Sequence, residues 1–210
     1  MPAEPRLRWA HSPADLEAAH ALFLRRIGAR LVEDWASFQL SVALATADWV
    51  PRLGLVEIDG ALGAAQLGGL LPAVNLISLP YTAVAERFEG QGLYRLLKTA
   101  MLDQLRADAR ARGLPDPLGN VSEEPVGSAQ YRRKVERGIA VVLPVAYTSP
   151  ATQGLGATPL ALTYEPLAGA APSQADALRA IVVAVYRGLY RIAEPERDPT
   201  FQRTVASLAL

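Results

Sequence analysis

The chain has 210 residues, enough for one sizeable domain or a domain with a small appendage, and half of them are hydrophobic, so a proper core can be buried. Lys plus Arg and Asp plus Glu balance at 21 each with no basic block, which argues against a dedicated nucleic-acid binder. With no cysteine, disulfides, thiol chemistry and thiolate zinc sites are excluded, and His11 and His20 alone do not suggest a metal site. The N-terminus has no apolar stretch of signal-peptide length, and no uncharged apolar run reaches the roughly 18 residues of a membrane span. A soluble, cytoplasmic protein with no membrane partner is therefore expected.

In chain order, "RLRWAHS" alternates as a first strand. Ser12, Pro13 and Asp15 then make a helix start: a capping hydroxyl, Pro at the first helical position and an acid in the first turn. Leu16, Ala19, Phe23 and Ile27 fall on one face of that helix, with His20 either packing or at the surface. A second helix is predicted over 32–45, with Trp35, Phe38 and Val42 as its buried stripe. "RLGLVEIDGALGAAQLGGLLP" reads as a hairpin around the two-residue turn Asp59-Gly60. "NLISLPYTAV" is a strand ending at Val84, in which Pro80 has to sit at an edge or a bulge.

A long helix follows over 93–112, with Leu93, Leu97, Met101, Leu102 and Leu105 at helical spacing and Gly113 closing it. "PDPLGNVSEE" is a short strand running into a polar loop, and "SAQYRRKVERG" a charged helix ending at Gly138. "IAVVLPVAY" and "TPLALTYEPL" are two further strands, joined by the loop "TSPATQGLGA". After Pro172 a last helix opens with Ser173 and Asp176 in capping-box spacing. Leu178, Ile181, Val182, Val185, Leu189 and Ile192 line one face of it, Arg179, Arg187 and Arg191 a solvated one, and it stops near Pro195. The mixture gives an α/β or α+β domain over residues 1–168, with a helical extension over 169–210 packed on the same domain. That last helix covers either its own core or a second subunit of a homodimer.

"FEGQGLYRLL" places two glycines at the doorway of a helix. A strand that enters such a turn exposes the helix's first unpaired amides, and with the positive end of the helix dipole these form a seat for an anion such as a diphosphate. The bare alternative is a tight connection. A dinucleotide-binding G-x-G-x-x-G does not fit, because Arg95 occupies the third glycine position, and Gly-Lys-Ser/Thr of a P-loop is absent.

"AVAERFEGQGLYRLL" resembles the acyl-CoA-binding segment of the GNAT N-acyltransferase superfamily, roughly V-x-P-x-x-R-G-x-G-x-G/A followed by paired leucines. Val84, Gly90, Gly92 and Leu97 carry the match. In that register Glu89 replaces the usual Arg, Glu86 the Pro and Tyr94 the last small residue. A second register uses Arg87 as the arginine but breaks the spacing to Val84 and the leucines. The resemblance implies a mixed, mostly antiparallel central sheet of about seven strands flanked by helices. It also implies that the CoA diphosphate rests on Glu89, Gly90, Gln91, Gly92, Leu93 and Tyr94, with the pantetheine arm along Thr82, Ala83 and Val84.

"GNVSEEPVGSAQYRRKVERGIA" is similar to the family's next segment, N-x-x-A-x-x-x-Y-x-x-x-G-F, in which an Asn follows the fifth strand and a Tyr protonates the departing thiolate. Asn120 and Gly138 match, and Asn120 joins the cofactor-binding set. Lys134 stands where the Tyr is expected, and Tyr131 lies three residues earlier. Tyr131 is either the acid or a half-buried helix residue. Glu123 and Glu124, just past the strand, either relay the amine's proton or form a solvated acidic loop. "IAVVLPVAYTSPATQG" resembles GNAT-like bacterial proteins in which Tyr147 and the loop after it wall the substrate site.

The resemblance thus implies an N-acyltransferase using acetyl-CoA or another acyl-CoA, without metal, on a primary amine of a small molecule or peptide. A non-catalytic GNAT-fold protein that binds CoA or a partner is the alternative. An α/β binding module without CoA is the third reading.

Overall fold

A computed structural model of the chain describes residues 4–43, 45–151, 156–168 and 170–209. Strand β1 (Arg6–Trp9) leads to helix α1 (Pro13–Arg26) and helix α2 (Trp35–Ala43). Ser12 caps α1 in the expected way: its hydroxyl accepts from the Asp15 amide, and the Asp15 carboxylate accepts from the backbone of Ser12. Such a cap stabilises a helix by about 1 kcal/mol. Helix α2 starts three residues later than its periodicity suggested. Asp34 accepts from the Ser37 amide at 2.9 Å and sets the start there, while Val32 and Glu33 turn inward and are buried.

Strands β2 (Val50–Ile58) and β3 (Ala61–Leu71) form the predicted hairpin, with positive φ at both Asp59 and Gly60 as a two-residue type I′ turn requires. Strand β4 (Leu76–Val84) returns antiparallel to β3. Pro80 sits at a bulge: between the pairs Leu67↔Tyr81 and Gly69↔Ser78, Gly68 alone opposes Leu79 and Pro80. The extra residue flips the facing of β4, since adjacent residues point to opposite sides of a sheet. Ile77 and Leu79 pack with Met101 and Leu105, whereas Tyr81 and Ala83 pack with Phe23 on the other face.

Helix α3 (Leu93–Ala111) follows, then β5 (Gly119–Glu124), α4 (Ala129–Glu136), β6 (Val141–Val142), β7 (Thr148–Ser149), β8 (Thr158–Pro159) and β9 (Ala161–Pro166). Among the described residues seven strands form one sheet in the order β1-β2-β3-β4-β5-β9-β6, and β7 and β8 form a separate pair. The β4–β5 pairing is parallel and the other pairings are antiparallel. Helix α3 covers one face, burying Leu93, Leu97, Met101 and Leu105. On the other face Ala19, Phe23 and Phe38 cover Leu53, Leu55 and Leu67, and helix α5 (Ala175–Gly188) covers Leu71, Val121, Leu162 and Tyr164.

Several expected elements end elsewhere. "IAVVLPVAY" is not one strand: Pro144 has no N–H to give a ladder, and the chain breaks there into tight turns, Val145 N–H to Leu143 and Tyr147 N–H to Val145. Helix α5 begins after Gln174 without a side-chain cap, so Ser173 and Asp176 form no capping box. A further helix, α6 (Pro199–Ala206), lies beyond the expected stop, capped by Asp198, whose carboxylate accepts from the Thr200 and Phe201 amides. Asn120, Glu123 and Glu124 lie inside β5 rather than after it. Among the described residues, no helix is long and apolar enough to cross a membrane.

Candidate active site

Strands β4 and β5 pair at Ile77↔Asn120 and Ser78↔Val121 and then separate. The bulge at Leu79–Pro80 begins where the pairing ends. Strand β5 stays paired with β9 along its whole length, so Leu79–Val84 and Ser122–Glu124 become the two lips of a gap inside the sheet. A cleft of about 420 Å³ opens there, lined by Leu79, Pro80, Tyr81 and Thr82 from β4 and Ser122, Glu123 and Glu124 from β5. Along a strand alternate backbone N–H and C=O groups point to opposite sides. Half of those on β4 beyond Ser78 therefore face the gap.

At one end of β4 lies the glycine loop. Ala85 N–H still bonds to Gly63, and a 3-10 turn spans Glu86–Phe88. Gly90 and Gly92 then take φ of 76° and 77°, conformations that side chains disfavour. Among the described residues, no carbonyl or side chain accepts from the amides of Gly90, Gln91 or Gly92, and all three residues are exposed. Leu93 and Tyr94, in the first turn of α3, add N–H groups without intrahelical acceptors. The Leu93 side chain is buried, and the Tyr94 ring lies 5.8 Å from the Arg133 guanidinium. Glu89 is ion-paired with Arg26 at the end of α1, so its charge is matched by a cation. Neither side chain nor net charge blocks an anion at these amides.

The other end of the gap is built around Glu123. Its side chain points to the α5 face, where the buried Tyr147 and, at 2.7 Å, Tyr190 both donate their hydroxyls to Oε1. Burial pushes the Glu123 carboxyl up from its ordinary value, and the two phenol donors oppose that rise. Both phenols are themselves held well above the ordinary tyrosine value by burial and by the Glu123 charge, so they remain donors. A second carboxylate, Glu33, enters from the α1–α2 connection. It accepts from Ser41 at 2.9 Å and lies 3.4 Å from Arg191, while its amide donates to the Tyr81 hydroxyl. Burial raises its carboxyl as well, against Ser41 and Arg191.

Glu124 points to the opposite face. There it is buried against Lys134, which forms an ion pair with it, and Gln130 donates to it at 3.2 Å. Lys134 thus serves as counter-ion to Glu124, and Tyr131, half-buried on α4, is outside the residues that line the cleft. Asn120 is buried at the closed end of the β4–β5 pair, donating to Ser122 at 3.2 Å, rather than in a loop before α4. Thr82 lines the cleft and accepts from Gln66 at 2.8 Å, Ala83 is buried and Val84 half-buried. Of the loop after Tyr147, Ser149, Gly156 and Thr158 line the cleft, and residues 152–155 lie outside the described residues.

Sequence reasoning missed Glu33, Ser41, Tyr81 and Tyr190. It also placed Arg191 on a solvated helix face, whereas Arg191 lies past the end of α5 at a φ of 56° and reaches Ser41 and Glu33. No local pattern marks these residues, because Arg191 and Glu33 are 158 positions apart and Tyr190 and Glu123 are 67 apart.

No protein-family model matches the sequence, and no curated protein matches it. Solved structures do match in fold. A putative acetyltransferase from the GNAT family from Bacteroides thetaiotaomicron aligns with a TM-score of 0.63 at 10% identity, covering 89% of this chain and 99% of its own. The ribosomal-protein-S18-alanine N-acetyltransferase from Escherichia coli aligns with a TM-score of 0.56 at 15% identity, over 80% of this chain and 97% of its own. A putative GNAT acetyltransferase from Desulfovibrio desulfuricans gives 0.51 at 18%, over 77% and 99%. The chain has the GNAT fold.

Proposed function

For a chain with this fold, we propose an N-acyltransferase that moves an acyl group from acyl-CoA to a primary amine. The observation that carries the proposal is the parted β4–β5 pair, with free amides at one end and a proton acceptor, Glu123, at the other. The amides of Gly90, Gln91, Gly92, Leu93 and Tyr94 hold the diphosphate, with Glu89 neutralised by Arg26. The pantetheine arm adds to the free edge of β4 along Thr82, Ala83 and Val84, as an extended ligand adds to a sheet edge. A β4 N–H facing the gap polarises the thioester carbonyl.

The acceptor nitrogen attacks that carbonyl carbon. The C–N bond forms, the C–S bond breaks with its electron pair leaving on sulfur, and the nitrogen's proton passes to Glu123 directly or through a water molecule. Burial makes Glu123 a stronger base than an exposed carboxylate, and Tyr147 and Tyr190 fix its orientation. No covalent enzyme intermediate is needed, in keeping with a chain that has no cysteine.

One observation favours a second reading, a GNAT-fold protein that binds CoA without turnover. Lys134, at the position of the expected thiolate acid, is engaged by Glu124. Two measurements separate the readings. Acetyl-CoA at about a hundred times its Kd adds roughly 2.7 kcal/mol to stability and raises the melting temperature. Release of free CoA thiol with a panel of amines, read in a protein that has no thiol background, then reports turnover. Stabilisation without thiol release supports the second reading, and no stabilisation at millimolar acetyl-CoA rejects both.

A further inference from the structure

We propose that Arg191 is a positioning residue for the proton acceptor, an inference whose functional weight rests on the acyltransferase reading. By tying the end of α5 to the α1–α2 connection, Arg191 holds the Tyr190 hydroxyl on Glu123. Helix α5 runs to Gly188, and the chain leaves it through Leu189, Tyr190 and Arg191, with the Ile192 N–H bonded back to the Tyr186 carbonyl at 3.1 Å. Arg191 stands there at a φ of 56°. Helix ends that turn through this left-handed conformation usually do so at glycine. Of the three non-glycine residues at positive φ among the described residues, Asp59 and Asn75 are of types that tolerate it, and Arg191 is not.

Backbone strain of this kind persists where surrounding contacts over-determine it. Here the contacts belong to the guanidinium. Nη1 of Arg191 donates to the Ser41 hydroxyl, and Nη2 lies 3.4 Å from Glu33 Oε2, which also accepts from Ser41 at 2.9 Å. Ser41 and Glu33 are both buried, and Ser41 belongs to α2, so the anchor is fixed at its far end. The residue before Arg191 carries the consequence. Tyr190 donates to Glu123 Oε1 at 2.7 Å, beside the Tyr147 phenol on the same oxygen, and its ring lies 6.1 Å from that of Tyr186. Glu124 is next to Glu123 on β5, and Tyr81 lies in its field, with Glu33 beyond. Among the described residues no cation pairs with Glu123, so the two phenols are what favour its ionised form. Arg191 is directed at Ser41 and Glu33, and its loss therefore reaches Glu123 through Tyr190.

The test reads Glu123 directly. Carbon-13 carboxyl resonances, with that of Glu123 assigned by its loss in Glu123→Gln, give the titration midpoint in the whole protein, and the acid limb of the pH–rate profile follows the same group in turnover. Arg191→Ala frees Tyr190 and should raise the midpoint by about one pH unit, the value of one hydrogen bond to a charged group. Arg191→Gly should raise it equally while melting higher than Arg191→Ala, because glycine relieves the backbone without restoring the anchor. In a Tyr190→Phe background, Arg191→Ala should add no further shift. A wild-type midpoint in Arg191→Gly overturns the inference, since packing on Tyr186 would then be enough to place Tyr190. A shift that persists in the Tyr190→Phe background overturns it too, since Arg191 would then act by its charge. Absence of turnover with every amine overturns the acyltransferase reading alone, and the carboxyl midpoints still confirm or overturn the role of Arg191.

Discussion

Gly92 and Gly113 cap the two ends of α3 at nearly the same backbone angle, φ of 77° and 72°, and a Cβ built at either meets no atom within 4 Å. Alanine at either site therefore creates left-handed strain without a clash. That strain costs about 1–2 kcal/mol. For a chain of this size the corresponding fall in melting temperature is about 2–8 °C. The two variants should be equally destabilised. They should differ in ligand binding, because only the methyl at Gly92 projects beside the unpaired amides of Gly90, Gln91 and Gly92. Calorimetric titration with acetyl-CoA should show wild-type affinity for Gly113→Ala and at least a tenfold loss, about 1.4 kcal/mol, for Gly92→Ala. Equal affinity in the two variants refutes the assignment of the loop as a phosphate seat, whatever their stability.

Replacing Glu123 with Gln should lower kcat by about 10²- to 10⁴-fold while acetyl-CoA affinity is unchanged. The same variant has a stability signature. The Glu123 carboxyl is raised in the folded state, so the native protein retains a proton that the unfolded chain releases above about pH 4.5, and stability falls as pH rises through that window. Glu123→Gln removes that contribution, so urea titrations at pH 4 and pH 8 should show a shallower decline than wild type; a steeper one contradicts the burial argument. Tyr147→Phe or Tyr190→Phe deletes a donor to the ionised carboxylate, and the acid limb of the pH–rate profile should move to higher pH. An unmoved limb would mean that Glu123 is not the titrating base. Lys134→Met leaves Glu124 buried without its partner and should cost about 3–5 kcal/mol, with much of the loss recovered when Glu124→Gln is added. A neutral single variant would show that the pair is solvated.

Where a local rule acts alone, the fold was legible in the sequence. Ser12 caps α1, Asp59-Gly60 turns the hairpin, and Pro80 had to be at a bulge or an edge and is at a bulge. The bulge is the feature with functional weight, because it ends the β4–β5 pairing and opens the gap. Where two rules compete, tertiary context decided. The apolar run before Pro144 reads as a strand until the missing donor interrupts it, and Asp34 overrides the periodicity that would start α2 earlier. The Asp198-Pro199 start of α6 was readable from cap chemistry alone, yet Pro195 and the polar residues after it resembled an ending.

The site was legible in halves. The glycine loop is contiguous, so its chemistry shows as a motif. The Glu123 environment is assembled from β5, the turns after Pro144, the end of α5 and the α1–α2 connection, and such convergence leaves no spacing to recognise. Adjacent carboxylates Glu123 and Glu124 look equivalent in sequence. Strand alternation sends one to the tyrosines and the other to Lys134.

The central claim, that unpaired amides between Val84 and Tyr94 receive the phosphates of an acyl carrier, is tested most directly by a nitrogen-15 amide titration with CoA. Saturable downfield shifts of the amide protons of Gly90, Gln91, Gly92, Leu93 and Tyr94 are predicted. If CoA binds and those amides stay in place while others move, the carrier sits elsewhere and the acyltransferase account fails.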